Sequence, residues 1–136
     1  MRVSLQAGPF LFHARLETRL APLTCAFFKR SLPFRQRIIH ARWSGEACWV
    51  PMGDTPLEVP TENATSYPAR GHVILYPGGF SETELLLAYG AVRFASKLGQ
   101  LAGNHFLTVV DRLDQLPDLG RLALWEGAQD LVIDAE

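Results

Sequence analysis

Cysteine is scarce in this chain, long apolar runs are missing, and neither sign of charge prevails. Each shortage closes a class of function. Two cysteines among 136 residues, Cys25 and Cys48, cannot frame a disulfide scaffold, and one pair far apart in sequence reads as reduced thiols. No stretch approaches the roughly 18 apolar residues of a membrane span. The opening "MRVSLQAGPFLFHARLE" carries charges through its apolar part, so no secretory signal is read and the cytoplasm is the default compartment. Without export, the "NAT" sequon at residues 63–65 stays idle. Thirteen basic against fourteen acidic side chains leave a formal charge of −1, which argues against a nucleic-acid or membrane partner. Arg30, Arg35, Arg37 and Arg42 lean toward the N-terminal half; they make either a solvated surface or an anion-attracting patch.

Signature motifs are missing as well. There is no Gly-x-Gly-x-x-Gly, no phosphate loop and no Gly-x-Ser-x-Gly elbow, so nucleotide hydrolysis and serine-esterase chemistry have no support. His13, His40, His72 and His105 show no His-Glu-x-x-His spacing, and the cysteines form no Cys-x-x-Cys. No metal or cofactor is expected.

What is present is a balanced globular composition, 48% apolar and 20% charged, in a length that suits one domain over residues 1–136. "PFLFHARLET" alternates, with Phe10, Phe12, Ala14 and Leu16 on one side, as a half-buried strand does. "APLTCAFFKRSLP" predicts a helix that opens on Pro22, stops before Pro33 and turns Leu23 and Phe27 inward. From Phe34 to Val50 the period is two again. One face holds Ile39, Ala41, Trp43, Ala47 and Trp49; the other holds His40, Arg42, Ser44, Glu46 and Cys48. The pattern reads as one strand with its tryptophans toward the core and a bulge at Gly45. A short extended piece is expected around Leu57 to Val59. Further strands are read at "HVILYPGG", "ELLLAYG", "GNHFLTVVDR" and "DLVIDA", and a short helix at "LPDLGRLALWEGAQ". Seven or eight short strands with two helices predict a mainly β barrel or sandwich.

"APLTCAFFKRSLP" resembles the first helix of cyclophilins, with Pro22, Thr24 and Phe27 or Phe28 at the matching positions. "HARWSGEACW", "ENATSYP", "LYPGGFSETELLLAYG" and "GNHF" together resemble a bacterial family of unknown function whose members adopt a cyclophilin-like barrel. The resemblance implies a closed cyclophilin-like β-barrel of about eight strands, with one helix capping an end and a short late helix. It implies little about activity, because a fold does not carry a function with it. Isomerising cyclophilins pair an arginine with a Gln-Gly-Gly-Asp run; the chain keeps an arginine, Arg37 or Arg42, and lacks the run.

Several polar residues qualify for a site, each with a plainer alternative. Arg42, Ser44 and Glu46 project from one face of the predicted strand and either grip a ligand or form a solvated ion pair. Glu62 and Asn63 sit in a loop, where Asn also closes turns on its own backbone. In "YPGGFSETE", Gly78 and Gly79 form a turn; Ser81 and Glu84 match a helix-capping box, or Glu82 and Glu84 act as paired carboxylates. His105 follows Gly103 and Asn104, and His40 lies on the Arg42 face; either is a site residue or a hydrogen-bonded structural histidine. The expected function is binding of a small polar metabolite or short peptide in a cleft lined by Arg42, Ser44, Glu46, Glu62, Asn63, Tyr76, Glu84 and His105. The arginine pairs with a ligand carboxylate, and the acids take an amine or hydroxyl. Two enzymatic alternatives stay open: carboxylate or His105 acid–base chemistry on an amide-containing small molecule, and prolyl isomerisation. Homo-oligomer formation through an exposed strand is compatible with all three.

Overall fold

Alternating apolar residues build the wall of the molecule, which a computed structural model describes over residues 1–136. The strands are β1 (Arg2–Ala7), β2 (Phe10–Leu16), β3 (Phe34–His40), β4 (Gly45–Pro51), β5 (Ala64–Thr65), β6 (His72–Tyr76), β7 (Glu84–Val92), β8 (Ala95–Ser96), β9 (Gly99–Gln100), β10 (Gly103–Val109) and β11 (Gln129–Ala135). Two helices, α1 (Pro22–Arg30) and α2 (Leu116–Glu126), complete the fold. Eight strands run antiparallel in the order β2-β1-β11-β3-β4-β7-β6-β10, and β10 pairs back onto β2 through Leu107 and Leu16. The barrel is therefore closed, as the cyclophilin-like resemblance implies.

Inward residues of every wall strand, among them Leu5, Phe12, Ile38, Val50, Leu75, Leu87, Leu107 and Ile133, pack into one core of 25 buried residues. An eight-stranded barrel is about wide enough for its own side chains, and these fill it. The helices seal its ends. Phe28 of α1 packs on Phe34, where β3 begins, while α2 lays Gly120 against the Tyr89 ring near His40, where β3 ends. A side chain in place of Gly120 would collide with that ring. Pro22 and Pro117 sit in the first turns of the two helices, where a missing N–H costs nothing.

Several expectations are corrected. The segment from Phe34 to Val50 is a hairpin rather than one strand: Ala41–Ser44 form its tip, and Gly45, at φ 95°, opens β4 through a bulge. A Cβ at Gly45 would run into the carbonyl of Ala91, so glycine is required there. Trp43 rides on the tip and is 58% exposed, not turned to the core. Trp49 is half-buried on the outer face of β4, beside Cys48 and Val50, which point inward. In α1 the buried residues are Thr24, Cys25 and Phe28, while Leu23 is 56% exposed. Leu57–Val59 form no strand, and no helix starts at Ser81, so the capping box is empty of purpose. Arg2–Ala7, with Val3, Leu5 and Ala7 inward, is a wall strand the sequence reading does not assign.

A second, smaller core lies outside the barrel. Ala47, Ile74, Tyr76 and Leu86 face outward from β4, β6 and β7, and Phe94 and Leu101 cover them. The covering segment, residues 93–101, carries the β8–β9 hairpin and acts as a flap strapped over the wall. Its straps are Arg93 N–H to Ser44 O, Phe94 N–H to Ser66 O and Ser66 Oγ–H to Leu101 O.

Candidate functional site

Where the flap ends, the outer wall is left uncovered and a cleft of about 320 Å³ opens. The hairpin tip supplies Arg42 and Trp43, β4 supplies Trp49, and the β8–β9 turn supplies Ser96, Lys97 and Leu98. The opposite wall is the β6–β7 loop with Phe80, Ser81 and Glu82, joined by Asp54. That wall is laced in place. Tyr76, packed edge-on against Phe94, accepts the Ser81 N–H at its phenol oxygen; Thr83 donates to Thr55 O, and Glu82 accepts the Gly53 N–H. Gly78 and Gly79 both hold positive φ in this loop, as a tight reversal needs.

Beneath the two tryptophans a niche of about 20 Å³ reaches the first residue of β7, Glu84. By strand alternation Glu84 faces outward with Leu86, opposite to Leu85 and Leu87. It is nevertheless only 5% exposed, because Trp49 and the tip close over it. Burial, with the Glu82 charge adding to it, pushes its carboxyl from the usual range up to about 8. It has no hydrogen-bond donor from the protein. The indole Nε1 of Trp49 is fully buried with no partner, the one such side-chain atom in the molecule. Arg42, exposed and outside every ion pair, borders both the cleft and the niche. A buried polar group without a partner costs about 1–3 kcal/mol, so the Trp49 N–H, beside a carboxyl that lacks a protein donor, marks a place where stability is given up.

The predicted residues thus divide. Arg42, Ser44 and Glu84 border the same niche. Ser44 is 4% exposed, and its hydroxyl donates to Ala95 O at 3.0 Å while accepting the Ala95 N–H at 3.1 Å. It fastens the tip to the flap and has no proton left to donate to a ligand. Tyr76 supports the loop wall from behind. Glu46 points away along β4 and accepts the Ala91 N–H at 2.8 Å. His40, bonded to Tyr89 Oη at 2.7 Å, belongs to the α2 end.

Glu62, Asn63 and His105 form a separate cluster around β10. The Glu62 carboxylate accepts both the N–H and the hydroxyl of Thr24, capping α1 from 38 residues away. Asn63, at φ 49°, donates to His105 O and ties β5 to β10. His105 stacks on His72 with centroids 3.9 Å apart, and its Nε2 meets Thr108 Oγ1, which donates to Glu17 at 2.7 Å. Since that hydroxyl's proton goes to Glu17, the imidazole donates at Nε2. Burial, then the neighbouring His72, brings His105 down to about 4, so it is neutral across the physiological range. Burial alone would raise Glu17, but the bonds from Thr108 and Arg15 bring it below its usual value. No cavity opens onto this cluster.

The sequence reading misses Trp49 as a polar group, and it misses the flap residues Lys97 and Leu98 and the loop residues Asp54 and Phe80. Trp49 had a signal, two tryptophans around a Ser-Gly pair; the flap had none, since strands of two residues carry no period. Cys25 and Cys48 are free and buried, and burial pushes their thiols to about 11 and 12, which leaves no thiolate near neutral pH.

Residues 3–134 match the model of a family described as a protein of unknown function (DUF3830). Among curated proteins, none matches the chain. Among solved structures, McbB in complex with tryptophan is similar at a TM-score of 0.74 and 18% identity, over 98% of this chain and 44% of McbB. The chain thus spans less than half of that protein's length. The hypothetical protein AF2241 from Archaeoglobus fulgidus is similar at a TM-score of 0.60 and 15% identity, over 100% of this chain and 95% of that one. At these identities the likeness is one of fold.

Proposed function

The chain belongs to the DUF3830 family of unknown function, and from that premise we propose that it is a small-molecule-binding barrel whose ligand lies in the cleft on the outer wall. The observation that carries this reading is Glu84: a buried carboxyl without a protein donor, in a niche that shares Arg42, Trp43 and Trp49 with the cleft. The ligand's apolar part rests against Trp43, Phe80 and Leu98, which are exposed at the rim. Its carboxylate pairs with Arg42, whose planar fork matches two oxygens at once, and Lys97 adds charge. Asp54 and Glu82 take an amine or hydroxyl at the mouth. A cleft of this size suits a metabolite, or one or two residues of a peptide. That the neighbour McbB is a complex with tryptophan, a carboxylate with an aromatic body, fits the same chemistry. Two free buried thiols suit a reducing, cytoplasmic setting.

A second reading adds proton transfer. A carboxyl titrating near 8 is matched to acid–base work at neutral pH, and Glu84 would be the group that performs it. His105, remote from the cleft, has no part in it.

The test is titration calorimetry of a metabolite library against wild type and Arg42→Ala. Carboxylate ligands are expected to lose ten- to a hundredfold in affinity in the variant. Equal affinities in the two proteins would remove Arg42 from the site.

A further inference from the structure

Four residues that carry polar groups, Arg42, Ser44, Trp49 and Glu84, line the niche below the cleft, and their hydrogen-bonding characters decide what enters it. An indole N–H is a donor only, and so is a guanidinium. Trp49 Nε1 is buried without an acceptor, and Arg42 borders the niche outside every ion pair. The third group, the Glu84 carboxyl, accepts when ionised but also donates when it carries a proton. No donor of the protein is bonded to it to favour the ionised form. Ser44 has committed its one proton to Ala95 O and offers nothing to an acceptor.

Resting on the cleft reading above, we propose that the niche selects an acceptor: it holds a carboxylate or carbonyl oxygen of the ligand among the Trp49 indole, the Arg42 guanidinium and the Glu84 carboxyl. An ammonium in the same place would face two donors, one of them a cation, and leave the indole N–H unsatisfied. The group taken deepest is therefore the ligand's acid or carbonyl end, and any amine stays outside with Asp54 and Glu82. This inverts the ordinary expectation that a buried glutamate marks an amine site. At about 20 Å³ the niche admits roughly one such oxygen, about the space of one water.

Three matched probes test it: 3-phenylpropanoate, 3-phenylpropanamide and 3-phenylpropylamine, which share one aromatic body and differ in head group. Each is titrated by calorimetry and by nitrogen–proton correlation spectra, in which the Nε1–H of Trp49 is observed directly. The carboxylate and the amide are expected to bind at least tenfold tighter than the amine and to move the Trp49 Nε1–H signal downfield. Trp49→Phe keeps an aromatic ring and removes the donor; it is expected to lower carboxylate affinity about tenfold and leave the amine unchanged. Retained heat-induced cooperative unfolding in the variant separates this loss from misfolding. Tighter binding of the amine, or an unmoved Trp49 Nε1–H while the signal of Trp43 shifts, overturns the acceptor niche and leaves the cleft intact. Binding of none of the three overturns the cleft reading, and the niche with it.

Discussion

At the scale of single residues, the molecule separates groups that look alike in sequence. Glu46, Glu62 and Glu84 are all acids near turns or strands. Glu46 bonds one backbone N–H, Glu62 caps a helix, and Glu84 alone is buried with no protein donor. Neither role of the first two was legible, because their partners Ala91 and Thr24 lie 45 and 38 residues away. Glu84 was legible as an acid beside Glu82 but not as a buried one, since its burial comes from Trp49 on another strand. Its titration yields a direct prediction. Burial holds the folded group at about 8 against an ordinary value of 4.5, so between those values the folded chain keeps a proton the unfolded chain has released. Stability therefore falls as pH rises through that window and is lowest above about 8. Glu84→Gln abolishes the titration. Urea unfolding should give the variant and wild type similar stability near pH 4. At about pH 9 the variant should be the more stable, by on the order of a few kcal/mol at most. A variant less stable than wild type at high pH would show the carboxylate to be welcome where it sits.

At the scale of elements, most strands and both helices were legible from their periods and their prolines. The hairpin between β3 and β4 was not. Its tip, Ala41–Ser44, is an even number of residues long, so the period of two continues across it in phase and imitates one strand. The pairing of Ile39 with Trp49 shows the fold-back that the pattern hid. The flap is hidden for a different reason: it is held by single hydrogen bonds from distant residues rather than by a periodic face. Ser44 is the clearest of these, with two bonds to Ala95. Ser44→Ala removes both and leaves the Ala95 N–H and C=O without this partner, at a cost of about 1–2 kcal/mol. Hydrogen exchange at the Ala95 amide should then quicken roughly tenfold, while amides of β1 and β11 stay as slow as before. Exchange at Ala95 unchanged by the substitution would mean that the packing of Phe94 and Leu101 and the remaining straps hold the flap without the Ser44 hydroxyl. The same change should weaken ligand binding without touching the ligand, since the flap carries Lys97 and Leu98 to the cleft.

At the scale of the whole molecule, the barrel class followed from the number and spacing of strands, and closure through β2 and β10 followed from the family resemblance rather than from any local pattern. Closure has a functional consequence. The inward side chains and the two capping helices fill the barrel with one core of 25 buried residues, so the proposed binding falls on the outer wall, where the flap and the β6–β7 loop stand apart. The eight residues expected to share one cleft in fact lie in several places: Arg42, Ser44 and Glu84 at the niche, Tyr76 behind its wall, Glu46 along β4, and Glu62, Asn63 and His105 around β10. A crystal structure of the protein grown with 3-phenylpropanoate distinguishes these places in one measurement. Density for the probe is expected between Trp43, Trp49 and Phe80, with its carboxylate against Arg42 and an oxygen directed toward Glu84. Density beside His72 and His105, with the outer cleft empty, would contradict the account.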